Sequence, residues 1–106
     1  MLYLTVMLYL YEGKEAAFAN YEEQVLPLLQ RYGGKMLYRT QPALETELPH
    51  RQELPYEMHL LSFPSEIAFQ DYLQDPDRIA LTLLQRSIIR KAVVMQSDGS
   101  PPMPPR

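Results

Sequence analysis

Residues 2–11 alternate without interruption. Leu2, Leu4, Val6, Leu8 and Leu10 fall on one side, and Tyr3, Thr5, Met7, Tyr9 and Tyr11 on the other. A period of two over this length predicts a β-strand. Its aliphatic face calls for a helical cover, and its tyrosine face for a less uniformly apolar neighbour. Glu12-Gly13-Lys14 ends the alternation. From about Glu15 to Tyr32 the period changes: Phe18, Tyr21, Val25, Leu28 and Tyr32 recur at steps of three and four, the mark of an amphipathic helix. Glu22, Glu23, Gln24, Gln30 and Arg31 fall to its solvent side. Pro27 removes a backbone hydrogen bond, and because the stripe continues in phase it predicts a bend and not a break. Gly33-Gly34 supplies the stop.

A second strand is predicted over Lys35–Thr40 and a third over Tyr56–Phe63, joined hairpin fashion. Between them, residues 41–55 are polar, hold three prolines and no glycine, and read as a long loop. Ser65 is placed as the N-cap of the next helical region, with Glu66 in its first turn. Ile67, Ala68, Phe69, Tyr72 and Leu73 carry helical spacing. Asp75-Pro76 interrupts it, and Pro76 suits the start of a further turn. Ile79, Leu83, Leu84 and Ile88 continue the apolar pattern, and Lys91–Gln96 makes a short last strand. Residues 97–106, with four prolines, form a flexible tail without a core of its own. The order β-α-β-β-α-β over residues 1–96 predicts an α+β, ferredoxin-like domain: a four-stranded antiparallel sheet with helices on one face. The other face, where Tyr3, Tyr9 and Tyr11 lie, is left open.

Composition narrows the function classes. The 106 residues make one domain, and a second copy sharing the core would add useful stability. A net charge of −3 with both signs interspersed argues against a nucleic-acid or anionic-membrane surface, which needs clustered Lys and Arg. RNA-recognition domains share the element order, but Lys35-Met36-Leu37-Tyr38-Arg39 lacks their aromatic and basic signature. The chain has no cysteine, which excludes disulfides, thiolate catalysis and cysteine-held metals, and fits a reducing cytoplasm. The apolar run Leu2–Leu10 lacks a basic leader and a small-residue cleavage site, and is too short to span a membrane.

Several segments carry a family resemblance. They are Tyr21-Glu22-Glu23-Gln24-Val25-Leu26-Pro27-Leu28-Leu29 with Tyr32-Gly33-Gly34, then Phe63-Pro64-Ser65, then Tyr72 through Asp75-Pro76. In this order and spacing the chain resembles the DUF1330 proteins of the dimeric α/β barrel superfamily. That resemblance implies a homodimer whose two sheets enclose a small-molecule pocket. It also implies relatives that range from cofactor-free monooxygenases and isomerases to haem enzymes and regulatory domains, so the fold does not choose an activity.

The residues offer few chemical groups. His59, mid-strand, is the candidate general base or ligand-binding group, since neutral imidazole accepts a proton near pH 7. Its parity with Leu61 and Phe63 puts it on the helix-facing side unless a bulge intervenes. Tyr9 and Tyr38 suit either a polar aromatic ligand or a dimer interface, and Arg39 suits a carboxylate held through two contacts. His50, in the polar loop, reads as a solvated side chain. Glu45, Glu47, Glu53 and Glu57 read as surface charge. No histidine–carboxylate spacing of a metal motif is present, Gly33-Gly34 is no phosphate loop, and no cofactor is expected. The expected ligand-binding set is therefore Tyr9, Tyr38, Arg39 and His59, with no metal. Two functions compete: a non-enzymatic dimeric binding or regulatory module, and a cofactor-independent monooxygenase or isomerase acting on a small aromatic or keto compound.

Overall fold

The computed structural model describes residues 1–42 and 53–100. Most of the 41–55 loop, with His50, Glu45 and Glu47, lies outside them, as does the end of the tail. The elements follow the expected order: β1 (Leu2–Leu10), α1 (Glu15–Gln30), β2 (Lys35–Thr40), β3 (Glu57–Phe63), α2 (Glu66–Leu73), α3 (Pro76–Ala80), α4 (Thr82–Ile88) and β4 (Ile89–Ser97). The sheet order is β2-β3-β1-β4, every pairing antiparallel, with β1 and β3 central. This is the α+β ferredoxin-like arrangement the alternation of periods predicts. No helix among the described residues is long and apolar enough to cross a membrane.

Local chemistry accounts for the boundaries. Ser65 caps α2 as expected, its Oγ accepting from the Ala68 N–H at 3.1 Å. Asp75 caps α3, with Pro76 in the first turn where its missing N–H is harmless. The helix α1 runs through Pro27 as a single element. It ends where Gly33 takes a positive φ of 73° and the Gly34 N–H bonds back to the Leu29 carbonyl. A Cβ on Gly34 would sit 2.9 Å from the Phe63 ring, so the close approach of α1 to β3 requires glycine there. Strand β4 begins two residues earlier than the pattern suggested, because α4 passes into it without a linker.

The aliphatic face of β1 meets the helices as expected, and two apolar clusters fill the layer between. One gathers Leu2, Leu4, Leu28, Leu29, Leu61, Phe63, Phe69 and Tyr72; the other gathers Leu8, Phe18, Tyr21, Val25 and Ile88. Val6 packs against both. Opposite Val6 on β3 is His59, and opposite Leu8 is Glu57. The apolar core is thus interrupted by a polar patch on the same face.

Candidate functional site

The patch is assembled by three elements. On β3, Glu57 and His59 are two residues apart, so they share the helix-facing side. On α1, Glu22 lies four residues after Phe18 and three before Val25, both buried, and so reaches the same layer. On β2, a bulge does the placing. Met36 pairs with Leu61, Leu37 is left over, and the register resumes at Tyr38–Leu60 and Arg39–His59. The extra residue inverts the parity of the second half of β2. Arg39 therefore joins His59 on the helix side, while Tyr38 faces outward, 61% exposed.

Glu57 is 1% exposed, Glu22 4% and His59 6%. Glu57 is the hub. Its Oε2 accepts from Arg39 Nε at 2.9 Å and makes a short contact with His59 Nε2, and its Oε1 accepts from Gln41 Nε2 at 3.3 Å. Burial alone would raise its carboxyl pKa, but the hydrogen bonds from His59, Arg39 and Gln41 outweigh that and hold it below the usual range. Glu22 behaves differently. Its Oε1 lies 3.9 Å from His59 Nε2, and its Oε2 is the one buried side-chain polar atom without a partner among the described residues. Burial pushes its pKa up, against the opposing pull of His59 and Arg39 and with the push of Glu57.

Beside this wall lies a cavity of about 160 Å³ between α1 and the sheet. Glu22 and His59 line it together with Leu4, Val25, Leu61 and Tyr72, and Arg78 and Gln85 also border it. An apolar cavity of roughly 150 Å³ is large enough for a benzene ring. Burial raises the Tyr21 hydroxyl, which also lines the cavity, to about 12, and raises Tyr72 as well, so both phenols stay neutral donors.

Of the four residues singled out from sequence, the structure brings Arg39 and His59 together and separates them from the other two. Tyr9 is buried on the opposite sheet face, beside Lys91, whose Nζ lies 5.0 Å from the ring centre, and Tyr38 stands on that same open face. His59 keeps the parity its neighbours implied. Two assignments are corrected. Glu22 is not on the solvent side of α1, and Glu57 is not surface charge. Both are buried because they are in phase with the apolar positions of their own elements, Glu22 with Phe18 and Val25, Glu57 with His59, Leu61 and Phe63. Phase was the signal that would have found them; their charge concealed it.

Sequence comparison matches neither a known protein family nor any curated protein. Solved structures do match. A protein of unknown function from Rhodopseudomonas palustris, RPA0582, superposes with a TM-score of 0.79 at 18% identity, covering 95% of this chain and 83% of its own. An uncharacterized NIPSNAP domain protein from Burkholderia xenovorans gives 0.69 at 11% identity, covering 99% and 100%. A Dabb family protein with a ferredoxin-like fold from Mesorhizobium loti gives 0.69 at 10% identity, covering 94% and 97%. At these identities the likeness establishes a shared ferredoxin-like fold.

Proposed function

We propose that this chain is a DUF1330-like, cytoplasmic, homodimeric protein that binds a small molecule in the cavity between α1 and the sheet. One observation carries the reading: a ring-sized, mostly apolar cavity with a buried carboxyl oxygen of Glu22 and the His59 imidazole at its wall. Small-molecule sites have this composition, an apolar lining with a few polar groups that fix orientation. The sequence resemblance placed the pocket between two sheets; the clustering of Arg39, His59 and Glu22 favours the helix side of each protomer's own sheet. The open sheet face supports the homodimer. It carries Thr5, Met7, Met58, Leu60, Val93 and Met95, a mixed apolar surface of the kind that pairs with a copy of itself.

Saturation-transfer NMR with phenol and cyclohexanone tests the reading. Binding is expected in the native chain and is expected to vanish when Val25→Phe fills the cavity. Absence of binding by both compounds, or binding unchanged by the filling substitution, overturns it. A second reading, cofactor-independent oxidation or isomerisation of a small aromatic or keto compound, is favoured by the pairing of an acid and an imidazole at one cavity wall. It requires turnover that is lost in His59→Gln.

A further inference from the structure

Glu22, Glu57 and His59 form a second feature in the same wall. Each offers one ligand atom, and the three atoms lie within 4.8 Å of one another. All three side chains are more than nine-tenths buried. They come from a helix and a strand, so no linear spacing announces them. We propose that this trio is a binding site for a divalent first-row transition ion such as Mn²⁺ or Zn²⁺.

Charge is the first argument. Two buried carboxylates face one paired arginine among the described residues, Arg39. One negative charge is left for a proton or a cation to neutralise, and a buried unpaired charge is costly. Ligand chemistry is the second. Imidazole suits zinc and iron, carboxylate suits manganese, and a mixed set with open positions is a common arrangement for such ions. Geometry is the third. Metal–ligand bonds of roughly 2.0–2.2 Å put ligand atoms about 3–3.5 Å apart. Glu22 Oε1, 3.9 Å from His59 Nε2, needs only a small side-chain rotation to reach that spacing, and the short Glu57–His59 contact must lengthen to admit an ion. The decisive observation is the unpartnered Glu22 Oε2, a buried acceptor in the wall of the cavity with no donor. A cation held by both Glu22 oxygens would satisfy it.

Arg39 is compatible with this role. It approaches Glu57 from the β2 side with its own side chain 40% exposed, whereas Glu22 and His59 line the cavity. Arg39 and Gln41 would then hold Glu57 as outer partners hold a ligating carboxylate. Positions of the ion not taken by the protein would open into the cavity. The inference shares Glu22 and His59 with the small-molecule reading but needs no organic ligand, so ion binding and phenol binding can fail separately.

The test uses the full chain after chelator treatment, with Mn²⁺ or Zn²⁺ as the probe. Titration with Mn²⁺, followed by the loss of the free-ion electron paramagnetic resonance signal, is expected to give one saturable site per chain. Glu22→Gln is expected to weaken it at least ~10-fold, while Glu23→Gln, on the exposed neighbour, leaves it unchanged. Absence of a saturable site, equal affinity in Glu22→Gln, or an equal loss in Glu23→Gln overturns the proposal. If Glu22→Gln does not fold, the native chain decides. Bound Mn²⁺ must broaden the His59 imidazole resonances at substoichiometric ion, and sharp His59 signals under saturation overturn the site.

Discussion

Two carboxylates in this small domain are equally buried and oppositely treated. Asp75 and Glu22 are each 4% exposed. Asp75 is saturated. Tyr32 Oη donates to it at 2.6 Å and Arg31 Nη1 at 3.3 Å, and the backbone N–H groups of Asp77 and Arg78 cap onto its other oxygen at 2.8 and 3.4 Å. The Tyr32 hydroxyl above all, aided by those N–H groups and Arg31, holds its pKa below the usual carboxylate range. The result ties the end of α1 to the start of α3. Glu22 keeps one oxygen without a donor, borders a cavity, and has its pKa raised by burial. A buried acid with every lone pair engaged is a structural fastening. A buried acid with one left over calls for another partner, and the binding role proposed for Glu22 would supply it.

The comparison can be broken most forcefully at its polar hub. Glu57→Gln removes the charge that pairs with Arg39 and His59, and about 2 kcal/mol of stability should be lost, the partial exposure of Arg39 moderating the effect. Urea denaturation measures it. A loss below a few tenths would mean the hub carries no load.

Asp75→Ala comes next. Losing an N-cap and stranding the Tyr32 hydroxyl should lower the melting temperature by roughly 5–10 °C, read by calorimetry. Glu22→Gln should shift it by no more than about 3 °C, and upward if at all, because no donor is lost and a desolvated charge is removed. Equal destabilisation by the two substitutions would erase the distinction between fastening and site.

A subtler separation comes from pH, in chelated protein. The folded pKa of Asp75 lies below its unfolded value. Its contribution is therefore complete above the ordinary carboxylate range near 4 and disappears as pH falls through the folded value. The folded pKa of Glu22 lies above its unfolded value, so its contribution is complete below that range and is lost as pH rises through the folded value. Differences between wild type and Asp75→Asn, and between wild type and Glu22→Gln, should slope in opposite directions across pH 3–7 in denaturation curves. Parallel slopes would contradict the assignment.

The smallest effect is expected at the bulge. Deleting Leu37 should leave Arg39 opposite His59 in a regular ladder, since Leu37 is the residue without a partner. The Arg39–Glu57 pair should then survive, visible as an unchanged stability cost of Glu57→Gln. Loss of that cost would mean that the bulge shapes the site beyond setting parity.

Much of the architecture was legible along the chain. The period-two run of β1, the three-and-four stripe of α1, the Ser65 cap, the helix start at Pro76 and the Gly33-Gly34 stop each act over a few residues, and each appears where the local pattern put it. The candidate site was legible only in part. His59 was visible through parity and Arg39 through its charge. Glu22 and Glu57 were hidden, because a charged residue in an apolar phase reads as solvent-facing until something across the layer meets it. Tyr9 and Tyr38 drew notice as phenols, yet they stand on the other face of the sheet.

The amino-acid sequence by itself determined the elements, their order and the sheet face that helices cover, because propensity, capping and hydrophobic period are local properties. Only the tertiary structure decided the site. Which buried acid finds donors depends on residues more than 40 positions apart, as Asp75 with Arg31 and Tyr32. Which face Arg39 takes depends on a one-residue slip between β2 and β3, a matter of register between strands that no single strand encodes.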